Sequence, residues 1–406
     1  MMLENLRGKK IAIVGLGKNN QKLADYLTSK EINYDVIDDW SNPDELIGRL
    51  DEYQIIFRTP GLPFLSNAVA EAKSKGVEIS SQTKLFFKLC PANIIGVTGT
   101  KGKGTTSSLL AQILETSGQK TWLAGNIGRD PFEFLDQIQP PDLVILELSS
   151  FQLQDLDQSP HIAVVLNITS DHLNHHQSVE EYISAKSSIL KFQTNQDYAI
   201  LHKSLPESFK NLGRAQKIFF DAKDASRFET KLLGEHNLEN IAAAAVVAKL
   251  IGVDESAIRK VVLEFEPLDH RLKVIKQIRG ITYIDDGYST NIESAIAAIK
   301  AISSPLILIV GGFDKGLDFS PLIEKINQSR NIKGLIVIGQ VTSKIAPKLP
   351  GQVLTGAGKM QEILAQAQSL ASSGDTILFS PATSSFDLFK NETDRGEQFV
   401  NAVNQL

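Results

Sequence analysis

The segment NIIGVTGTKGKGTTSSLLAQILETSG, residues 93–118, constrains the fold more than any other part of the chain. It begins as an apolar run that reads as a buried strand, passes through glycines, lysines and hydroxyl residues, and ends with helical spacing. A strand that ends in a glycine-rich loop and opens a helix aims several backbone N–H groups, and the positive end of the helix, at one point. That arrangement suits a phosphate chain. Lys103 is placed to reach the outer phosphates. The strict GxxxxGK[ST] pattern is missed, because Val97 stands at the first glycine and Gly104 follows the lysine, so Thr105 or Thr106 has to supply the hydroxyl for Mg²⁺. ATP or another nucleoside triphosphate is the expected ligand, with a flexible structural loop as the alternative.

Similar alternation runs along the whole chain. KKIAIVGLGKNNQKLADYL reads as strand, Gly-rich turn and helix, with Gly15 and Gly17 in the turn and YDVIDD as the next strand. Asn20 stands where a dinucleotide fingerprint wants its third glycine, so NAD, another nucleotide-like ligand and a plain scaffold all stay open. Further strands are expected at QIIFRTP, VEISS, TWLAG, DLVILEL, IAVVLNIT, ITYIDD, PLILIVGG, GLIVIGQ and DTILFSP. Strands alternating with helices imply mostly parallel sheets. The expected fold is α/β in three domains: a Rossmann-like N-terminal domain (1–91), a central P-loop mononucleotide-binding domain (92–267) and a Rossmann-like C-terminal domain (268–406).

Bulk properties narrow the function. A length of 406 residues, 42% hydrophobic and 22% charged, suits a multidomain soluble protein. The net charge of −5, with Lys and Arg spread along the chain, argues against nucleic-acid binding. A single cysteine, Cys90, rules out an internal disulfide and disfavours a thiolate metal site. No signal peptide or membrane-spanning run is read, so a cytoplasmic location is expected.

Other polar residues fall near the loop's end of the expected sheet. Glu147 closes the apolar strand of LVILELSSFQ, at the end where a parallel sheet presents its ligands, and Mg²⁺ prefers carboxylate and water. NITSDHLNHH carries His172, His175 and His176; with no cysteine nearby, a hard, oxygen-seeking metal is favoured over zinc. Lys186 taken alone is a solvated helix lysine.

TGTKGKGTT, GNIG, LELSSFQL, NITSDH, YISAK, GEHNLENIAAA, LDHR, GGFDKGLDFSPL and SPATSSFDLFKN stand in the order and spacing of the Mur ligases, and the chain resembles that family over roughly residues 10 to 400. LELSSFQL and SPATSSFDLFKN resemble its glutamate-adding branch. The resemblance implies an ATP-dependent amide ligase of peptidoglycan synthesis, using two Mg²⁺ ions, with UDP-N-acetylmuramoyl-L-alanine and D-glutamate as substrates; a monomer is expected. It places Gly99, Thr100, Lys101, Gly102, Lys103, Gly104, Thr105 and Thr106 around ATP. Glu147 matches a Mg²⁺ ligand and His172 a second metal ligand or a substrate contact, and Asn126, with Gly15 and Gly17, falls on the nucleotide-sugar substrate. Asn237 and Asn240 match adenine-side contacts, Arg271 and Asp286 nucleotide contacts, and Thr290, Lys315 and Ser385 groups that receive glutamate. YxxAK is where this family carries a carbamylated lysine, which gives Lys186 a catalytic and metal-binding role beside Lys103 and His172. Four positions depart from the pattern: Gly104; Tyr288, where lysine is common; Glu392, where an aromatic is usual; and IDDW near Asp38, which lacks a Thr-Arg pair.

Overall fold

The computed structural model describes residues 3–168 and 178–406. The chain forms two compact units, Met1–Phe228 with Leu238–Val262 and Glu229–Asn237 with Leu263–Leu406. Among the described residues no helix is long and apolar enough to cross a membrane.

The first unit holds two sheets. Strands β1 (Ile11–Val14), β2 (Asp35–Ile37), β3 (Ile55–Arg58) and β4 (Glu78–Ser81) lie parallel in the order β2-β1-β3-β4. The second sheet contains β5 (Asn93–Thr98), β6 (Thr121–Gly125), β7 (Leu143–Glu147), β8 (Ile162–Val165), β9 (Tyr198–His202) and β10 (Gln216–Phe220). All are parallel in the order β10-β9-β8-β5-β7-β6. β5 is thus central, and its chain leaves past β7 to build β6, so the order reverses at its carboxyl end. Ligand crevices of open α/β sheets form at such a point.

Helix Lys103–Thr116 follows β5 because Leu109, Leu110, Ile113 and Leu114 recur at helical spacing, and all four are buried. Each such side chain contributes about 1.5–3 kcal/mol by leaving water. Gly96 lets the flanking layer approach β5, since a Cβ there would come 2.8 Å from Pro160. In the first sheet Asn20, at the place of the third fingerprint glycine, is buried and donates to the Gly15 carbonyl at 2.9 Å.

The second unit carries β11 (Lys273–Ile278), β12 (Ile281–Asp285), β13 (Leu306–Gly311), β14 (Ile332–Ile338), β15 (Gln352–Leu354) and β16 (Thr376–Phe379), in the order β11-β12-β16-β13-β14-β15. Only the β11–β12 pair is antiparallel. β9, β10, β11 and β15 are not among the strands expected from sequence; β10, β11 and β15 are edge strands with partly exposed faces.

Candidate active site

The loop after β5 is held from beneath by buried side chains. Gly99 and Gly102 adopt φ values of +151° and +86°, where side chains are strained, and a Cβ at Gly102 would fall 2.0 Å from Asn240 Oδ1. Thr100 donates its amide to the Asn167 carbonyl at 2.8 Å and pairs its hydroxyl with Tyr182 Oη at 2.9 Å. Asn240 Oδ1 accepts from Thr106 Oγ1 at 3.3 Å, tying helix Glu235–Leu250 to the first turn after the loop. The first helical amides, those of Lys103, Gly104 and Thr105, have no carbonyl within the helix to bond, and an anion can use them. Gly104 lies inside this turn, with Thr105 the next hydroxyl.

Two lysines converge on the same backbone. Lys103 Nζ donates to the carbonyls of Gly99 and Thr100, each at 3.1 Å, folding over the loop from its helical end. Lys186 Nζ, on helix Val179–Lys191, reaches the Gly99 carbonyl at 2.9 Å and Thr98 Oγ1 at 3.4 Å, with the Tyr182 ring 4.8 Å away. At 2% exposure Lys186 is a core residue and not the solvated lysine that its position alone suggested.

Glu147 ends β7 opposite Val97 of β5, and it is buried. The Leu148 amide bonds the Val97 carbonyl at 2.9 Å, and Thr98 Oγ1 bonds the Leu148 carbonyl at 2.9 Å, so the Glu147 end is fastened beside the loop. On the other flank the Asn126 amide donates to the Glu147 carbonyl at 3.2 Å, and a Cβ at Gly125 would clash with that carbonyl. Asn126 is exposed at this mouth. A buried carboxylate, a hydroxyl and substrate phosphates are what Mg²⁺ takes, so these residues fit the ion. His172, with His175 and His176, lies outside the described residues.

At the carboxyl edge of the first sheet, Gly15 has φ +78° and a Cβ there would lie 2.6 Å from Trp40 Nε1; one at Gly61 would lie 2.8 Å from the same indole. Trp40 therefore rests across the loops after β1 and β3, and Asp38 Oδ1 accepts the Leu16 amide at 2.8 Å. Gly17 caps the following helix.

In the second unit another cluster forms where β12, β13 and β16 end. Asp286 is buried; Ser380 Oγ donates to it at 2.7 Å and the Leu272 amide at 3.2 Å. Burial pushes its carboxyl up to about 7. His270, at φ +60°, pairs Nδ1 with Asp285 Oδ2 at 2.6 Å, which raises its pKa against the opposing effect of burial. Tyr288 stacks on His270 with centroids 5.7 Å apart and bonds Thr393 Oγ1 at 2.6 Å, and the Arg271 guanidinium lies 4.9 Å from its ring. Ser385 is fully buried with its Oγ lacking a hydrogen-bond partner, while Thr290 is half-buried and Lys315 exposed. Asn237 donates to the Leu233 carbonyl at 2.8 Å. Glu392 is half-buried in the first turn of helix Glu392–Asn404.

Sequence reasoning missed two buried arginines. Arg395 donates to the Gly287 carbonyl at 2.7 and 3.0 Å and to the Thr383 carbonyl at 2.8 Å, joining the loops after β12 and β16; burial lowers its pKa to about 10. Arg58, at the end of β3, binds the Leu62 and Phe151 carbonyls and Asp155. The signal available was a lone arginine closing the apolar run QIIFR.

Family profiles match twice: Mur ligase middle domain over residues 97–226, and Mur ligase, glutamate ligase domain over residues 270–383. The proteins named UDP-N-acetylmuramoylalanine--D-glutamate ligase from Clostridium kluyveri and Acetivibrio thermocellus are 33% and 32% identical to the chain, each over 99% of it and 98% of their own lengths. Among solved structures, MurF ligase from Thermotoga maritima in complex with ADP superposes with a TM-score of 0.63 at 17% identity, covering 99% of this chain and 96% of that one. E. coli FolC in complex with ADP superposes with a TM-score of 0.59 at 17% identity over 80% and 93%. At such identities the superpositions show the shared α/β fold. The full-length identity to the two ligases, on a fold that places Lys103, Glu147 and Lys186 at the ends of adjacent strands β5 and β7, shows that the chain belongs to the Mur ligase family.

Proposed function

We propose that the protein is an ATP-dependent amide ligase that joins D-glutamate to UDP-N-acetylmuramoyl-L-alanine, a step of peptidoglycan synthesis, with three domains in the boundaries expected from sequence. The observation that carries this reading is the full-length identity of 33% to a D-glutamate ligase. The γ-phosphate of ATP goes to the alanine carboxylate. A carboxylate is a poor electrophile with a poor leaving group, and phosphorylation to an acyl phosphate removes both obstacles. The glutamate amine then attacks the carbonyl, and phosphate leaves from the tetrahedral intermediate.

The loop amides and Lys103 hold the phosphate chain and balance charge on the transferring group. Glu147 and Thr105 would hold Mg²⁺, with His172 and Lys186 as further ligands; the ions supply charge neutralisation on the phosphoryl oxygens. Lys186 is buried under the loop, and a carbamate would form there by addition of CO₂ to its free amine. Asn126, Gly15 and Gly17 meet the nucleotide-sugar substrate, with Trp40 beside them offering a flat apolar surface to the base. Asn237, Asn240, Arg271 and Asp286 contact the nucleotide; Thr290, Lys315 and Ser385 receive the carboxylates of glutamate. The buried Ser385 hydroxyl supports this, since it can still take a partner.

Tyr288 and Glu392 favour a second reading, a related ligase with another acceptor amino acid. Phosphate release from ATP and Mg²⁺ with UDP-N-acetylmuramoyl-L-alanine, with D-glutamate, L-glutamate or no amino acid, decides between them. Release dependent on D-glutamate, with a product heavier by one glutamyl residue, is expected; release with another acceptor only would replace the first reading by the second.

A further inference from the structure

We propose that Arg58 is a positioning residue that fixes the ligand loops of the first sheet against the segment following Glu147; its effect on turnover rests on the function proposed above. Arg58 and Asp155 are 97 residues apart in sequence, and each side chain is 1% exposed. The guanidinium spends its donors on two different structures. Nη1 bonds the Leu62 carbonyl at 3.1 Å, in the loop whose Gly61 supports Trp40. Nη2 bonds the Phe151 carbonyl at 2.7 Å, in helix Ser150–Leu153, which Ser149 caps immediately after the β7 end. Nε lies 3.3 Å from Asp155 Oδ2, and Ser81 Oγ, at the end of β4, donates to Asp155 Oδ1 at 3.2 Å.

One planar cation thus joins the loop after β3, the end of β4 and the helix after β7. For stability alone this is a poor device, because removing two charges from water costs several kcal/mol, and apolar pairs of like volume often do as well. What an apolar pair cannot do is fix the direction and distance of two carbonyls. A substrate with its nucleotide at the first sheet and its carboxylate near Glu147 spans both structures, so their spacing sets whether the carboxylate meets the phosphate.

The test compares wild type, Arg58→Met, Arg58→Lys and the double variant Arg58→Met/Asp155→Leu. Arg58→Met alone strands Asp155 in the interior and is expected to lower the melting temperature, and the double variant to recover it. A misplacement on the order of 1 Å can cost about a hundredfold in rate, so the double variant and Arg58→Lys are expected to lose roughly ten- to a hundredfold in kcat/KM for the nucleotide-sugar substrate. The KM for ATP should not move, since Arg58 does not touch the loop after β5. Amide hydrogen exchange at Gln152 and Leu153, which needs no turnover, should quicken in both variants. Wild-type kinetics and exchange in a refolded double variant would overturn the proposal and leave the pair a packing element. Quickened exchange in variants of a wild type that makes no D-glutamate product would sustain the positioning and refute the proposed function instead.

Discussion

Replacing Gly102 by alanine tests how the nucleotide loop is built. The substitution acts twice. It places a Cβ on a residue at φ +86°, which costs about 1–2 kcal/mol for a non-glycine residue. It also puts that carbon 2.0 Å from Asn240 Oδ1, which must move and give up the 3.3 Å bond from Thr106 Oγ1. A net hydrogen bond is worth about 1 kcal/mol, so the single variant should lose about 2–3 kcal/mol. Asn240→Ala alone loses that bond without adding backbone strain at Gly102. The double variant Gly102→Ala/Asn240→Ala keeps the backbone strain without the clash, so its loss should match that of Gly102→Ala and fall about 1 kcal/mol short of the sum of the singles. Urea unfolding of the four proteins measures the cycle, and calorimetry with ADP should show weaker binding by every variant. Additive losses, or wild-type ADP affinity in Gly102→Ala, would refute the claim that Asn240 supports the loop through this contact.

Asp286 has its carboxyl raised from 3.8 to about 7 by burial, so its contribution to stability is full below about pH 4 and is lost as pH rises toward 7. Relative to wild type, Asp286→Asn should gain stability between pH 5 and 8, within a full-shift span of about 4 kcal/mol; a pH-independent difference in melting temperature would sink this. Lys186 carbamylation should give a ¹³C carbamate resonance in protein equilibrated with labelled bicarbonate, absent from Lys186→Ala. In a Trp122→Phe background, UDP should quench Trp40 fluorescence, and Trp40→Ala should weaken UDP binding about tenfold or more, the worth of one stacked base; an unchanged affinity would take the indole out of the site.

Local pattern made much of this legible. β5, its loop and the helix Lys103–Thr116 announce themselves in contiguous sequence, and Glu147 shows as a lone carboxylate closing an apolar run. What was not legible depends on distant partners. Local pattern alone leaves Lys186 a solvated helix lysine, and only the resemblance at YISAK brought it to the site where helix Val179–Lys191 turns it under Gly99; nothing near Arg58 announces Asp155. Arg395 sits in the polar run ETDRGEQ, which reads as solvated surface, yet its guanidinium is enclosed by the carbonyls of Gly287 and Thr383. The missed strands fail for a related reason: β11, with its alternately exposed residues, takes its order from pairing with β12 rather than from an apolar run.

The four departures from the family pattern can be weighed against their surroundings. Gly104 leaves Thr105 as the first hydroxyl of the turn, so a hydroxyl is displaced by one residue and is not lost. At Tyr288 a lysine would place its ammonium against the Arg271 guanidinium, which lies 4.9 Å from the ring; two like charges at that range repel by about 3 kcal/mol at an effective dielectric of 20, less where solvent screens them. The aromatic ring instead accepts the cation, so the positive charge at this strand end is carried by Arg271. Glu392, in the first turn of its helix, is favoured by the N-terminal dipole, and its field opposes the loss of charge on buried Arg395. Trp40 brings an indole where the Thr-Arg pair is missing, resting on Gly15 and Gly61, where a Cβ would press on the ring. Each change thus comes with a neighbour that answers it, as expected when the chemistry is kept and its contacts are redistributed.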